Sequence, residues 1–421
     1  MAILLGCIAD DFTGATDLAN TLVKQGMKTV QVIGIPHRQT RVGDAQAVVI
    51  ALKSRSAAVS DAVNWSLESL AWLRRQGAKQ FFFKYCSTFD STDQGNIGPV
   101  ADALLGALKS DFTVACPAFP ANRRTIYKGN LFVDDVPLAE SGMKDHPITP
   151  MRDSNLARLL GRQTDATVGV IDYDVVRLGA TAINDAYLAQ QKQGNRYAIV
   201  DALTDEDLIN IGTASQRLPL ITGGSGIALG LPDNFRRNGL IGDRQPAGIS
   251  RYRGGQAVLA GSCSIASRKQ LAAIRDVWPQ FVIDPLRLAE GVAVVDEVLE
   301  WFKTQDNTKP LVISSSVDPD TLANFQHRLG LQQAAKLIED SFGKIAQALV
   351  ARGFDRLIVA GGETSGSVIN ALGIEELRIG PEIDPGVPWC ETIGTAKLAV
   401  ALKSGNFGAE DFFAKAFRML A

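Results

Sequence analysis

The sequence predicts an α/β protein of two three-layer domains, the N-terminal one built on a mainly parallel sheet, with the active site in the cleft between them. Three observations carry this expectation. Short apolar runs alternate with helix-period segments through most of the chain, the pattern of strands joined by crossover helices. A length of 421 residues at 46% hydrophobic content is enough for more than one core. Between Asn238 and Gly255 the chain is rich in Gly, Arg and Pro and loses its hydrophobic period, so the boundary is expected there, giving domains 1–245 and 246–421.

The first element is a buried strand, predicted by the run Ile3 to Cys7, and an amphipathic helix continues from it to about Gly26. Further strands are expected at Thr29 to Ile35, Val48 to Leu52, Gln80 to Phe83, Thr113 to Cys116, Val168 to Ile171 and Tyr197 to Val200. Arg124 to Glu140 reads as a hairpin insertion turning at Gly129-Asn130 and folding over the crevice. The second domain opens with a strand at Gln256 to Ala260 and a helix to about Trp278. Long helices are expected at Leu286 to Lys303 and Leu331 to Arg352, flanking strands at Leu311 to Ile313 and Arg356 to Ala360. The segment Gly380 to Trp389 reads as a rigid acidic loop.

Composition narrows the function. With 43 Lys+Arg against 45 Asp+Glu the chain carries no electrostatic footprint for nucleic acid or an anionic membrane. No apolar run approaches the roughly 20 residues that span a bilayer, and no secretory leader is visible, so a cytoplasmic protein acting on small molecules is expected. Five widely spaced cysteines without a C-x-x-C pair argue against disulfides and zinc. A homodimer is compatible with all of this.

Each predicted strand gives way to polar residues, and ligands of parallel α/β sheets bind beyond the carboxyl ends of the strands. Asp10 and Asp11 end the first strand. With Thr13 available to cap the next helix, the two carboxylates are left for substrate hydroxyls, for a general base or for magnesium through water. Arg55, Lys84, Ser87 and Thr88 leave neighbouring strands of the same edge and suit an anionic polyhydroxylated ligand; alternatively, the two cations neutralise Asp10 and Asp11.

In the second half, Gly361-Gly362-Glu363-Thr364-Ser365-Gly366 comes after an apolar run and precedes a helix, expected from Ser367 to Leu372. Glycines permit close approach and helix N-termini bind phosphate, so this is an anion cradle in outline, though it lacks the lysine of a P-loop. Gly261-Ser262-Cys263-Ser264 repeats the strand-to-turn logic with hydroxyls. Gly223 to Gly230 gives a loose dinucleotide-like pattern, placed late for a Rossmann fingerprint. Cys86 and Cys263 lie in candidate site loops, but His37, His146 and His327 are remote from them in sequence, which favours a structural role for the cysteines.

Together, Ile8-Ala9-Asp10-Asp11-Phe12-Thr13-Gly14-Ala15, Gly261-Ser262-Cys263-Ser264 and Gly361-Gly362-Glu363-Thr364-Ser365-Gly366 resemble the four-carbon acid sugar kinase family over nearly the whole chain. Within it, Phe83-Lys84-Tyr85-Cys86-Ser87-Thr88-Phe89-Asp90-Ser91-Thr92 is similar to the 3-oxo-tetronate kinases, where threonate and erythronate kinases carry a Lys-Asp-Ser-Thr type sequence. The resemblance implies a sugar-acid domain followed by a nucleotide domain, and transfer of phosphate from ATP to the terminal hydroxyl of a four-carbon acid sugar. It places nucleotide contacts on Ser262, Gly361, Gly362, Glu363, Thr364 and Gly405, with Ser267 standing where many relatives have Thr. Magnesium is expected on the phosphates, with Glu363 or Asp384 as outer-sphere partners. The catalytic base is assigned from the residues themselves, to Asp10 or Asp11. Two other classes are distinguishable: a sugar-acid dehydrogenase using Gly223 to Gly230 for a nicotinamide cofactor, and a sugar-acid sensor without turnover.

Overall fold

The computed structural model describes residues 3–145, 149–290, 292–306, 308–315, 331–394 and 397–420. Two of the three histidines, His146 and His327, lie outside them. The chain forms two compact units, Met1–Pro246 and Ala247–Ala421.

Among its described residues the first unit holds eight parallel strands: β1 (Leu5–Ala9), β2 (Thr29–Ile33), β3 (Ala47–Ala51), β4 (Gln80–Lys84), β5 (Thr113–Cys116), β9 (Val168–Ile171), β10 (Tyr197–Val200) and β11 (Leu220–Gly223). Their order is β2-β3-β1-β4-β11-β5-β10-β9. Every residue of β1, β3, β4 and β10 is buried, so both faces of the central sheet are covered, as parallel sheets require. The chain runs outward from β1 to β2 and back to β3, then crosses to β4 on the other side of β1. The order reverses between β1 and β4, and that reversal opens a crevice at their carboxyl ends.

A separate antiparallel sheet comprises β6 (Arg124–Tyr127), β7 (Asn130–Val133) and β8 (Val136–Pro137). Its first turn falls on Lys128 and Gly129, both in the left-handed region (φ 50° and 73°), one residue earlier than expected because Asn130 already pairs with Tyr127. The hairpin is rooted at β10: the Asp201 carboxylate accepts the N–H groups of Lys128 (2.6 Å), Gly129 (2.8 Å) and Tyr173 (2.9 Å), and Ile126 bridges Ala202. Four strand spacings, about 19 Å, separate β10 from β1, so the root lies well along the sheet from Asp10 and Asp11.

In the second unit β12 (Gly255–Ala260), β13 (Gln280–Val282), β14 (Leu311–Ser314), β15 (Phe354–Ala360) and β18 (Ala399–Lys403) run parallel in the order β13-β14-β12-β15-β18. Two antiparallel strands continue it, β17 (Val387–Ile393) and β16 (Glu376–Asp384). The segment expected as an acidic loop is therefore a hairpin turning at Pro385-Gly386, with Gly386 at φ 79°. Trp389 is fully buried, donates Nε1–H to the Ala416 carbonyl at 3.0 Å, and joins Phe412, Phe413 and Phe417 in the core.

Two helix expectations are corrected. Leu286 to Lys303 is not one helix but two, Pro285–Ala289 and Val294–Lys303. Asp284 accepts the Leu286 N–H (2.9 Å) with Pro285 at the first helical position, a start signal the periodicity masked. The helix after β12 spans only Ile265–Ala273 and stops short of Trp278.

Candidate active site

At the β1 end, a row of hydrogen-bonded partners sets the geometry. Ala9 lies level with Ala51 and with Lys84, and Lys84 lies level with Gly223. Asp10 donates its N–H to the Lys84 carbonyl (3.0 Å), and its own carbonyl accepts from Ser54 (3.0 Å) and Arg55 (3.2 Å), pinning the loop after β3 beside it. Asp10 is buried and takes a fork from Arg55, Nε to Oδ2 and Nη2 to Oδ1, both 2.9 Å. Arg55 Nη2 also reaches Asp11 Oδ1 at 2.7 Å, and Nη1 stands 3.9 Å from Asp90. Lys84 is buried too, with Nζ donating to the Tyr85 carbonyl at 3.0 Å.

This corrects two expectations. Asp11, not Thr13, caps the helix Phe12–Lys24: its Oδ1 accepts the Gly14 N–H at 3.1 Å while Thr13 donates its hydroxyl to Oδ2 at 2.8 Å. Arg55 cannot offer a ligand carboxylate a two-pronged grip, since its Nε and Nη2 are taken by Asp10 and Asp11 and only Nη1, 3.9 Å from Asp90, remains; the neutralising alternative is what the geometry displays. The environment splits the aspartates. Burial pushes the Asp10 carboxyl above its usual range even against Arg55. Burial acts on Asp11 as well, but Arg55, Lys84, the Thr13 hydroxyl and the Gly14 N–H outweigh it and hold Asp11 below that range. Asp11 is also the more accessible, its side chain 25% exposed against 7% for Asp10.

Thr88 is buried and donates to Asp90 at 2.7 Å, whereas half-buried Ser87 has no hydrogen-bond partner among the described residues. Between them and Asp90, Phe89 is held at φ 53°, a left-handed conformation costly for an aromatic residue, by full burial and edge contact with Tyr85 (5.5 Å between centroids). The Cys86 thiol, raised by burial, lies 3.0 Å from the Thr88 hydroxyl, which suits a structural cysteine.

The second unit repeats the device. Ala260, Ala360 and Lys403 stand level on β12, β15 and β18, so the segments after them leave the sheet side by side at the point where strand order reverses. Gly261 and Ser262 donate their N–H groups to the Ala360 carbonyl (3.0 and 3.1 Å), and Gly361 donates to the Lys403 carbonyl (2.8 Å). The helix begins at once, spanning Gly362–Ala371 with Gly361 as N-cap. The expected six-residue loop thus contracts to one glycine at φ 131°, with Glu363 and Thr364 in the first turn. Thr364 explains two glycines: a Cβ on Gly261 would overlap its Oγ1, and one on Gly361 would lie 2.9 Å from it. A Cβ on Gly405 would overlap Ser262 Oγ. Ser262, Gly361, Thr364 and Gly405 are therefore neighbours, whereas Glu363 and Gly362 are exposed at the helix start.

Asp384 is committed elsewhere, to Lys415 Nζ (2.5 Å) and the Ala409 N–H (2.8 Å), which corrects its expected place beside the phosphates. Among the described residues no group of three His, Cys, Asp or Glu side chains is placed to hold a metal ion. A single exposed carboxylate, Glu363, fits a magnesium ion held mainly by phosphates and water. The glycines of Gly223 to Gly230 serve packing: a Cβ on Gly223, Gly224, Gly226 or Gly230 would crowd the backbone of Cys116, Pro117, Ala118 or Ile209, which accounts for them without a nicotinamide cofactor. Reading the sequence missed Lys403, fully buried at the end of β18; its signal was a lysine closing an apolar run, as Lys84 closes Gln80–Phe83.

Residues 5–231 match the family described as a sugar-binding N-terminal domain, and residues 257–413 the one described as a nucleotide-binding C-terminal domain. The chain belongs to the four-carbon acid sugar kinase family. Among relatives of this kinase are proteins named 3-oxo-tetronate kinase from Burkholderia multivorans, 55% identical with 99% of this chain and 97% of that one aligned, and from Pseudomonas fluorescens, 53% identical with the same shares. Two crystal structures share the fold of the kinase. One, from Salmonella typhimurium LT2 and described under the provisional name tRNA synthase, is 44% identical with TM-score 0.91 and 99% of each chain covered. The other, a Haemophilus influenzae protein, is 44% identical with TM-score 0.86, covering 99% of this chain and 100% of its own. Among the described residues no helix is long and apolar enough to cross a membrane.

Proposed function

We propose that this kinase transfers the γ-phosphoryl group of ATP to the 4-hydroxyl of 3-oxo-tetronate, giving 3-oxo-tetronate 4-phosphate and ADP. The observation that carries the substrate is identity of 44–55% to proteins named 3-oxo-tetronate kinase, over at least 97% of this chain. The chemistry is supported by two strand-end clusters of complementary kind, one of carboxylates and hydroxyls, the other of glycines, hydroxyls and a helix N-terminus.

In this reading Asp11 accepts the proton. The C4 oxygen bonds to the γ-phosphorus, the bond from that phosphorus to the β,γ-bridging oxygen breaks, and the hydroxyl proton passes to the Asp11 carboxylate, which is ionised at neutral pH because its neighbours hold it low. Asp10 orients Arg55, and the fork between them fixes Asp11. Ser87 is available to a substrate oxygen, with Thr88, Lys84 and Arg55 lining the same strand ends. Ser262, Gly361, Gly362, Glu363, Thr364 and Gly405 receive the nucleotide. Glu363 would hold a magnesium ion through water beside the phosphates, where the ion would supply charge neutralisation.

The test is coupled detection of ADP with 3-oxo-tetronate, D-threonate and D-erythronate offered separately. Preference for 3-oxo-tetronate supports the reading; preference for either other acid reassigns the substrate within the family. Absence of ADP with all three removes the proposed substrate class.

A further inference from the structure

The second unit contains a buried cation without a counter-ion. Lys403 has no exposed surface, and among the described residues no carboxylate pairs with it. Its ammonium instead donates to Gly405 O (3.0 Å), Ser404 O (3.1 Å) and Ser267 Oγ (3.2 Å), using all three protons. Desolvation alone pulls it down to about 8. Burying an ammonium against neutral oxygens is costly, and a methionine-sized apolar side chain at this position removes that desolvation cost.

The position of the charge is informative. The main-chain carbonyl of Lys403 holds the Gly361 N–H, and its side chain holds Gly405 O. That same oxygen accepts the hydroxyls of Ser264 (2.6 Å) and Ser267 (3.0 Å), and Ser264 N–H in turn donates to Ser262 Oγ (3.2 Å). One residue thus ties the ends of β12, β15 and β18 together. The P-loop lysine absent from the Gly361–Gly366 segment has a cation here in its place, set behind the loop and not within it.

We infer that Lys403 is a positioning residue for the nucleotide, locking Gly405 against Ser262 and Gly361 and lending the polyphosphate a fixed positive charge that the unliganded protein leaves uncompensated. The inference rests on the proposed nucleotide reading of this unit. It separates two ligands: the charge acts on the phosphates of ADP and not on adenosine.

The experiment is calorimetric titration of wild type and Lys403→Met with ADP and with adenosine, alongside thermal melting without ligand. Expected are a melting temperature equal to or above wild type, ADP affinity lowered roughly tenfold or more, and adenosine affinity changed much less. Equal losses for both ligands, or unchanged ADP affinity, overturn the inference. If Lys403→Met does not fold, Ser267→Ala removes one of the three oxygens around the ammonium while keeping Lys403; the same selective loss for ADP, of a few-fold, supports the inference and its absence overturns it. Failure of wild type itself to bind ADP would instead remove the nucleotide reading.

Discussion

Arg55 and Asp10 form a two-pronged ion pair in which both hydrogen bonds measure 2.9 Å, and the same guanidinium reaches Asp11 at 2.7 Å. Removing the cation leaves two adjacent carboxylates, one buried and one a quarter exposed, without their shared partner. Arg55→Met is expected to lose about 3 kcal/mol of stability, the low end for breaking a buried pair because Arg55 is a quarter exposed. Urea unfolding at neutral pH measures it, and the deficit should shrink on acidification as Asp10, whose carboxyl is raised, takes a proton.

Asp11→Asn separates chemistry from folding. Asn caps helices as well as Asp, so the helix Phe12–Lys24 should stay, with the melting temperature lowered only by loss of the charge that Arg55 and Lys84 favour. Turnover should fall by about a hundredfold or more, the usual contribution of a general base, with ADP affinity intact. Retained turnover would move the proton to another acceptor.

Gly361→Ala tests the one-residue turn. At φ 131° an alanine is strained, and its Cβ would stand 2.9 Å from Thr364 Oγ1 and 3.3 Å from Ser262 N. A loss of roughly 1–3 kcal/mol in urea unfolding is expected, with weakened ADP binding by calorimetry.

Glu363→Gln addresses magnesium. An outer-sphere carboxylate that helps hold the ion should, when neutralised, raise the magnesium concentration for half-maximal turnover by about tenfold. ADP affinity measured in a chelator should stay as in wild type, because the ion is then absent from both proteins.

Lys403 predicts an alkaline limb in stability. Its folded value of about 8 lies below the ordinary 10.5, so between those pH values the unfolded chain binds more protons and folding gains with rising pH, by roughly 3 kcal/mol at most. Below about 8 the cost is fully present. The difference in unfolding free energy between wild type and Lys403→Met, measured by urea titration from about pH 7 to the ordinary lysine value of 10.5, isolates this group.

Elements whose identity is set by local pattern were legible in the sequence. Thr113–Cys116, Val168–Ile171 and Tyr197–Val200 agree residue for residue, since the last two are short apolar runs with polar ends and the first stops at Pro117. Features decided by tertiary partners were not. The start of the helix at Gly362 depends on Gly361 adopting φ 131° beside Thr364, which periodicity does not encode. The break between Pro285–Ala289 and Val294–Lys303 hides under a continuous apolar stripe. At the site, Asp10, Asp11, Arg55 and Lys84 could be placed on one sheet edge from strand order, but which carboxylate each cation meets is a matter of ångströms. Lys403 escaped because a lysine ending an apolar run reads as the point where a strand meets water, and only the neighbouring turns show that it stays dry.

The level row of Ala260, Ala360 and Lys403 also bears on when the protein can become active during its synthesis. Among the described residues β18 follows the other strands of its sheet in sequence, yet it sits between β15 and β17 in the interior of that sheet and carries both Lys403 and the approach to Gly405. A nascent chain that stops before Ala399 has the Gly261 and Gly361 turns but neither the carbonyl that fixes Gly361 nor the ammonium behind Gly405. In the proposed nucleotide reading, capture waits until β18 has been made, so products cut before Ala399 should bind ADP poorly, as calorimetric titration of such a truncated chain would show.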